Sequence, residues 1–171
     1  MPSKKAPAKG FRSWLVTGGS GFLGQALVRR LLAGGAKVRV LDPAPMPEEW
    51  QGKVEFVQGD VRDPAAVDAA VAGVEAVCHA AAALPIHRSR RLIHAVNVDG
   101  TRNVLEACVR HGVKAVVHIS STAVYGLHKE HPILESNKLV PVGPYGESKV
   151  EADRKSIVVG KECRSRWSPY H

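Results

Sequence analysis

The chain has 171 residues, 44% of them hydrophobic, enough for one compact domain with a buried core. Its net charge of +8 is concentrated at the ends: residues 1–9 carry +3, residues 154–171 carry +4, and the body is left with +1, which argues for solvated tails over a specific nucleic-acid partner. There is no run of about 18 apolar residues to span a membrane, and no apolar stretch follows Met1–Gly10 to make a secretory signal, so the expectation is a cytoplasmic protein without a membrane partner.

Trp14-Leu15-Val16 reads as a first strand. It leads into Thr17-Gly18-Gly19-Ser20-Gly21-Phe22-Leu23-Gly24. The spacing is G-x-G-x-x-G from Gly19 and T-G-x-x-G-x-x-G from Gly18. Such glycines permit a tight turn, close approach of a pyrophosphate, and close packing of helix on strand. Leu23, Ala26, Leu27 and Leu31 recur at helical spacing, and Gly34-Gly35 closes the helix. The helix start offers unpaired N–H groups and the positive end of its dipole to phosphate. Val38–Leu41 is a second strand with Asp42 at its end. An acid about 20 residues after the glycines suits the adenosine ribose hydroxyls of a dinucleotide.

Pro43, Pro45 and Pro47 mark a loop, and Val54–Val57 a third strand. Asp63-Pro64 reads as an N-cap and first helical residue, with the helix running from Ala65 to Val71. Val74–Cys78 is a fourth strand ending in His79-Ala80-Ala81-Ala82. Small residues there keep open the crevice where ligands sit in a parallel sheet. Leu84–Arg91 reads as a loop carrying Arg88, Arg90 and Arg91. A helix from about Leu92 to Arg110 and a fifth strand, Lys114–Ile119, follow. Strands alternating with helices predict an α/β fold with a doubly wound parallel sheet. Cys78, Cys108 and Cys163 are widely separated, and the histidines show no ligand-type clustering, so no metal is expected.

The fifth strand ends in Ser120-Ser121-Thr122-Ala123-Val124-Tyr125-Gly126. Beyond a proline-containing loop, Tyr145-Gly146-Glu147-Ser148-Lys149 opens a last helix through Ala152. Tyr145 and Lys149 are four apart and share a helix face. A free tyrosine is a poor base at neutral pH, and a nearby ammonium favours its phenolate. The pair can exchange a proton with a substrate oxygen, which Ser121 can steady. Taken singly, Y-x-x-x-K is a common solvated helix turn, and serines commonly cap turns. The glycine turn, the acid and the serine-rich strand end together favour the catalytic reading.

These residues in this order resemble the extended short-chain dehydrogenase/reductases of the NAD-dependent epimerase/dehydratase group. The resemblance covers about residues 12–153. It rests on the glycine turn, Asp60-Val61, His79-Ala80-Ala81-Ala82, Asn97-Val98-Asp99-Gly100-Thr101, Ser120–Gly126 and Tyr145–Lys149. It implies a Rossmann-type NAD(P)-binding domain over residues 11–154. Gly18, Gly21, Phe22, Leu23, Gly24, Asp42, Asp60, Val61, Ala80, Ala81, Ala82, Asn97, Tyr145 and Lys149 would hold the cofactor. Ser121, Tyr145 and Lys149 would be catalytic. Asp42 would favour NAD over NADP by repelling a 2′-phosphate.

The implied reaction is NAD-dependent hydride transfer on a small molecule, either a sugar nucleotide or a similar hydroxyl substrate. A 3β-hydroxysteroid dehydrogenase-like alcohol oxidation suits the same motifs, and a homodimer is a further implication. After Arg154 the family pattern stops. Residues 155–171 read as a basic tail, residues 1–10 as another, and most of the C-terminal substrate region is expected to be missing. Ile157–Val159 could extend the helix or add a strand, and the fifth strand would form a sheet edge. An inactive dinucleotide-binding module is the reading of another class.

Overall fold

The computed structural model describes residues 10–86, 89–127 and 131–162, with side chains up to Ser156 in the last stretch. Residues 1–9 and 163–171 of the basic ends, and Arg88, lie outside the described residues. Five parallel strands form one sheet: β1 (Ser13–Thr17), β2 (Lys37–Asp42), β3 (Glu55–Gln58), β4 (Ala76–His79) and β5 (Ala115–His118). Their order is β3-β2-β1-β4-β5. β1 therefore lies centrally, and both of its neighbours are parallel to it. The register places Val16 between Val40 and Cys78, and Leu15 between Arg39 and Val77.

The sheet buries both faces, as a parallel sheet must. Leu15, Leu41 and Val77 pack on one side with Val67, Val71, Val104 and Ala107, from α2 (Pro64–Val71) and the helix before β5. Val16, Val40 and Cys78 pack on the other with Val28 of α1 (Phe22–Ala33) and with Trp50. Trp50 is 2% exposed in a short 3₁₀ turn, Glu48–Trp50. The proline-rich sequence reads as plain loop and gave no sign that this turn plugs the α1 side of the core.

The expected caps are present. Asp63 accepts from Ala65 N–H with Pro64 as the first helical residue, and Gly34 closes α1 with Gly35 at φ 80°. The expected helix over Leu92–Arg110 starts earlier and is not uniform. Its parts are α3 (Arg90–His94), a π-helical turn (Ala95–Asp99) and α4 (Gly100–Arg110). Arg90 and Arg91 thus stand in a helix capped by Ser89, which accepts from Leu92 N–H, and not in the expected loop. The last helix, α5 (Gly143–Glu162), starts before Tyr145 and carries the Ile157–Val159 backbone as helix rather than strand. Arg39 points to the α2 side, donating to Ala70 O and Ala72 O and pairing with Glu55 at 2.9 Å. It caps α2 and stays away from the C-terminal ends of the strands.

Candidate active site

The glycine turn between β1 and α1 is shaped by contacts that leave no room for side chains. A Cβ on Gly18 would lie 2.7 Å from the backbone nitrogen and α-carbon of Ala81, and one on Gly24 would lie 2.0 Å from Gly18 O. Gly24 therefore packs beneath the turn and lets α1 sit on it. Gly21 is the N-cap and offers no side-chain cap, so N–H groups of the first helical turn lack an intrahelical partner. Phe22 and Leu23 contribute that backbone with exposed side chains, Phe22 almost completely so at 99%.

Beside this turn a cavity of about 410 Å³ opens at the C-terminal ends of β1, β2 and β4. Of the expected cofactor residues, Gly18, Gly21, Asp42, Asp60, Val61, Ala80, Ala81 and Ala82 line it. Pro43, Ala44, Gly59, Arg62, Leu92 and Val96 line it too, and no motif singled these out. Asp42 is buried; its two oxygens accept from Ser20 N–H and Ala44 N–H, each at 2.9 Å. The acid thus fastens the glycine turn to the end of β2. Asp60 is gripped by Arg62, whose guanidinium and backbone N–H all donate to it. That grip holds the Asp60 carboxyl below its ordinary range, against a smaller opposing effect of burial.

Beneath the cavity lies a relay that the sequence did not reveal. Thr101 Oγ1 donates to Asn97 O at 2.6 Å, so it accepts from His79 Nε2 at 2.9 Å. His79 Nδ1 then accepts from the Thr17 hydroxyl at 2.7 Å, and Thr17 Oγ1 accepts from Ala81 N–H. One tautomer satisfies every partner. His79 is 1% exposed, and burial holds its imidazole well below the usual histidine range, with His118 and Lys149 adding to the effect. The relay ties β1, β4 and the π-helical turn together with a neutral ring.

Asn97 extends this connection to α5. Its Oδ1 accepts from Ala83 N–H at 2.7 Å, while its Nδ2 donates to Ala83 O and to Ser148 Oγ. Ser148 Oγ in turn donates to Tyr145 O. Asn97 is 1% exposed and lies behind the cavity wall, not on it. The first turn of α5 rests on the Ser121–Val124 turn, where a Cβ on Gly146 would come within 2.8 Å of Ala123 O. Ser121 Oγ accepts from Ala123 N–H. Lys149 is 3% exposed and donates to Ile119 O at 2.6 Å. Burial pushes its ammonium below the usual lysine range, and Asp153 partly opposes that shift. The fold therefore sets the Ser121 turn and the Tyr145–Lys149 turn against each other where β5 meets α5. The backbone of Tyr145 is linked through Ser148 and Asn97 to Ala83 on the cavity wall. Ser121, Tyr145 and Lys149 do not themselves line that cavity.

Residues 14–166 match the model of the family described as the NAD dependent epimerase/dehydratase family. The chain belongs to this family. Its match runs past Arg154, where the recognisable motifs end. The human protein named 3 beta-hydroxysteroid dehydrogenase type 7 is 42% identical over 75% of the chain and 38% of its own length. Among solved structures, a short-chain dehydrogenase/reductase superfamily protein from Agrobacterium tumefaciens with bound NAD is 35% identical with a TM-score of 0.78, over 84% of this chain and 44% of that one. A double mutant of DesIV, a dTDP-glucose 4,6-dehydratase from Streptomyces venezuelae with NAD and DAU bound, is 32% identical with a TM-score of 0.81, over 92% and 57%. The chain thus spans about half, or less, of the length of these relatives. NAD as the expected cofactor agrees with the family description and with both structures. Among the described residues, no helix of this family member is long and apolar enough to cross a membrane.

Proposed function

We propose that this chain carries the coenzyme-binding and proton-transfer part of an NAD-dependent epimerase, dehydratase or dehydrogenase acting on a secondary hydroxyl or its ketone. The single observation that carries the reading is the hydrogen-bonded path from the cavity wall at Ala83 through Asn97 and Ser148 to the turn bearing Tyr145 and Lys149. The site fits a dinucleotide on its own geometry: an uncapped helix start at Gly21, a cradle at Gly18 that a Cβ would fill, and a carboxylate fixed at the end of β2.

In this reading the N–H groups after Gly21, together with Phe22 and Leu23, hold the pyrophosphate. Asp42 takes the ribose hydroxyls, and Asp60 with Val61 borders the adenine. NAD, when bound, supplies the hydride acceptor and donor. Tyr145 takes a proton from the substrate hydroxyl, or returns one to the ketone, at its phenolic oxygen. The Lys149 ammonium stabilises the phenolate by charge, and the Ser121 hydroxyl steadies the substrate oxygen. A sugar nucleotide is supported by the DesIV likeness, and a steroid-type alcohol by the identity to the human protein.

The test is NAD binding by calorimetry set beside turnover on a panel of sugar nucleotides and secondary alcohols. Tyr145→Phe should keep binding and lose about 10²–10⁴-fold in turnover; unchanged turnover would remove Tyr145 from the mechanism. A second reading, a binding module without turnover, is favoured by the exposure of Phe22, Ile86 and Leu127. These follow β1, β4 and β5, so water is not excluded there. NAD binding with no turnover on any substrate would select it.

A further inference from the structure

Where β5 meets α5, a polar cluster has no part in the reading above. Ser120 Oγ donates to Asp153 Oδ2 at 2.5 Å, and His118 Nε2 lies 3.2 Å from Asp153 Oδ1. The His118 side chain is 4% exposed, yet neither ring nitrogen makes a hydrogen bond. Its contact with Asp153 is close but falls outside hydrogen-bond geometry. The ring stacks on His79 with centroids 5.5 Å apart. Asp153 stands one helical turn beyond Lys149, on the same face of α5. Both residues reach the end of β5, Lys149 at Ile119 O and Asp153 at Ser120 Oγ.

We infer that Asp153 is a positioning residue for the proposed site: it fastens the strand end bearing Ser121 to α5, and its carboxylate keeps the buried Lys149 ammonium charged. The inference deepens the functional reading and rests on it for its meaning. A lysine buried to this degree tends to shed its proton. The groups acting on it are the imidazole of His79 on β4 and the carboxylate of Asp153 on its own helix, and the His118 ring on β5 lies against both of these. Toward α3 and the π-helical turn, His94 lies 3.5 Å from both Asp99 and Glu151, and Arg90 pairs with Glu147, on another side of α5. The carboxylate at Asp153 is therefore the group placed to offset the burial of Lys149. Burial lowers the Lys149 ammonium and Asp153 raises it, which agrees in sign. Residues Ser120 and Ser121 are consecutive, so a hold on one constrains the other.

The experiment follows the Cε chemical shift of Lys149 by NMR, in the whole chain labelled at lysine, as pH is raised. The signal is assigned by its loss in Lys149→Met. Asp153→Asn keeps the shape and an acceptor for Ser120 but removes the charge. Its Lys149 midpoint should move down, while Asp153→Glu and Ser120→Ala should leave the midpoint near that of the parent. A merely structural Asp153 would lower thermal stability in Asp153→Asn without moving the midpoint, and that result overturns the inference. Should Asp153→Asn fail to fold, the parent decides: a Lys149 that is already neutral at pH 7 overturns the inference, and one that is charged supports it. The readout needs no turnover, so a chain that binds NAD but catalyses nothing sinks the functional reading and leaves this test readable.

Discussion

At Gly18 the backbone adopts φ 69°, which side chains other than glycine's rarely tolerate. Ala81 lies across the space that a Cβ would fill. Gly18→Ala should therefore cost about 2–4 kcal/mol, from strain and overpacking together, and weaken NAD binding; urea titration and calorimetry read the two effects. His79 makes a pH prediction of definite sign. Its folded value lies well below the ordinary 6.5, so the unfolded chain takes up the proton first. Stability should be full above pH 6.5 and fall as the pH drops below it. Nitrogen NMR should find the ring neutral at pH 5, with hydrogen on Nε2; a protonated ring there would refute the relay. The glycines and Asp42 could be read from sequence because their spacing is local. The relay could not, because Thr17, His79 and Thr101 meet only when β1, β4 and α4 are in place.

The π-helical turn between α3 and α4 shows how an element can hide inside a regular pattern. Its apolar residues continue the helical stripe of Leu92–Arg110, so the sequence reads as one helix. One wider turn aims the Asn97 amide at Ala83 and Ser148. Asn97→Asp would leave Ala83 O and Ser148 Oγ without their donor in a buried place. A loss of about 2–4 kcal/mol in urea unfolding is expected, and a loss under about 0.5 kcal/mol would show that the amide is dispensable. At the opposite end of the sheet, Glu75 accepts from Lys114 Nζ at 2.7 Å and from Arg12 N–H at 2.6 Å. Lys114 first, then Arg12, hold its carboxyl down to about 2 from 4.5. The folded value is depressed, so this contribution is whole above pH 4.5 and is lost as the pH falls toward 2. Glu75→Gln should flatten that part of the stability profile. Strands were the more legible elements, since runs such as Val38–Leu41 bounded by Gly and Pro admit little else. The buried turn at Trp50 was not, because proline spacing predicts a break in structure and says nothing of what the break buries.

Across the molecule the two sheet edges differ in chemistry. β3 ends the sheet with Glu55 and Gln58 exposed and Arg39 paired across to Glu55, a polar edge that discourages further pairing. β5 ends it with Ala115–His118, and Val117 is 45% exposed. The register sets Val117 beside Cys78, so it lies on the α1 face, while its neighbour Val116 packs on the opposite core. α1 packs on β1 and β2 on that face, and Val117, at the outer edge, is left half-exposed. An edge strand with an uncovered apolar residue is a template for association. The sheet order that leaves β5 at this edge follows from the βαβ sequence pattern, but which of its valines faces the uncovered side depends on register, which composition does not specify. The chain should therefore self-associate as its concentration rises, and Val117→Lys should suppress this without altering NAD binding or the circular dichroism of the fold. Sedimentation velocity over a concentration series reads the difference. A parent chain that sediments as a monomer throughout would mean that this edge is protected by something other than its own side chains.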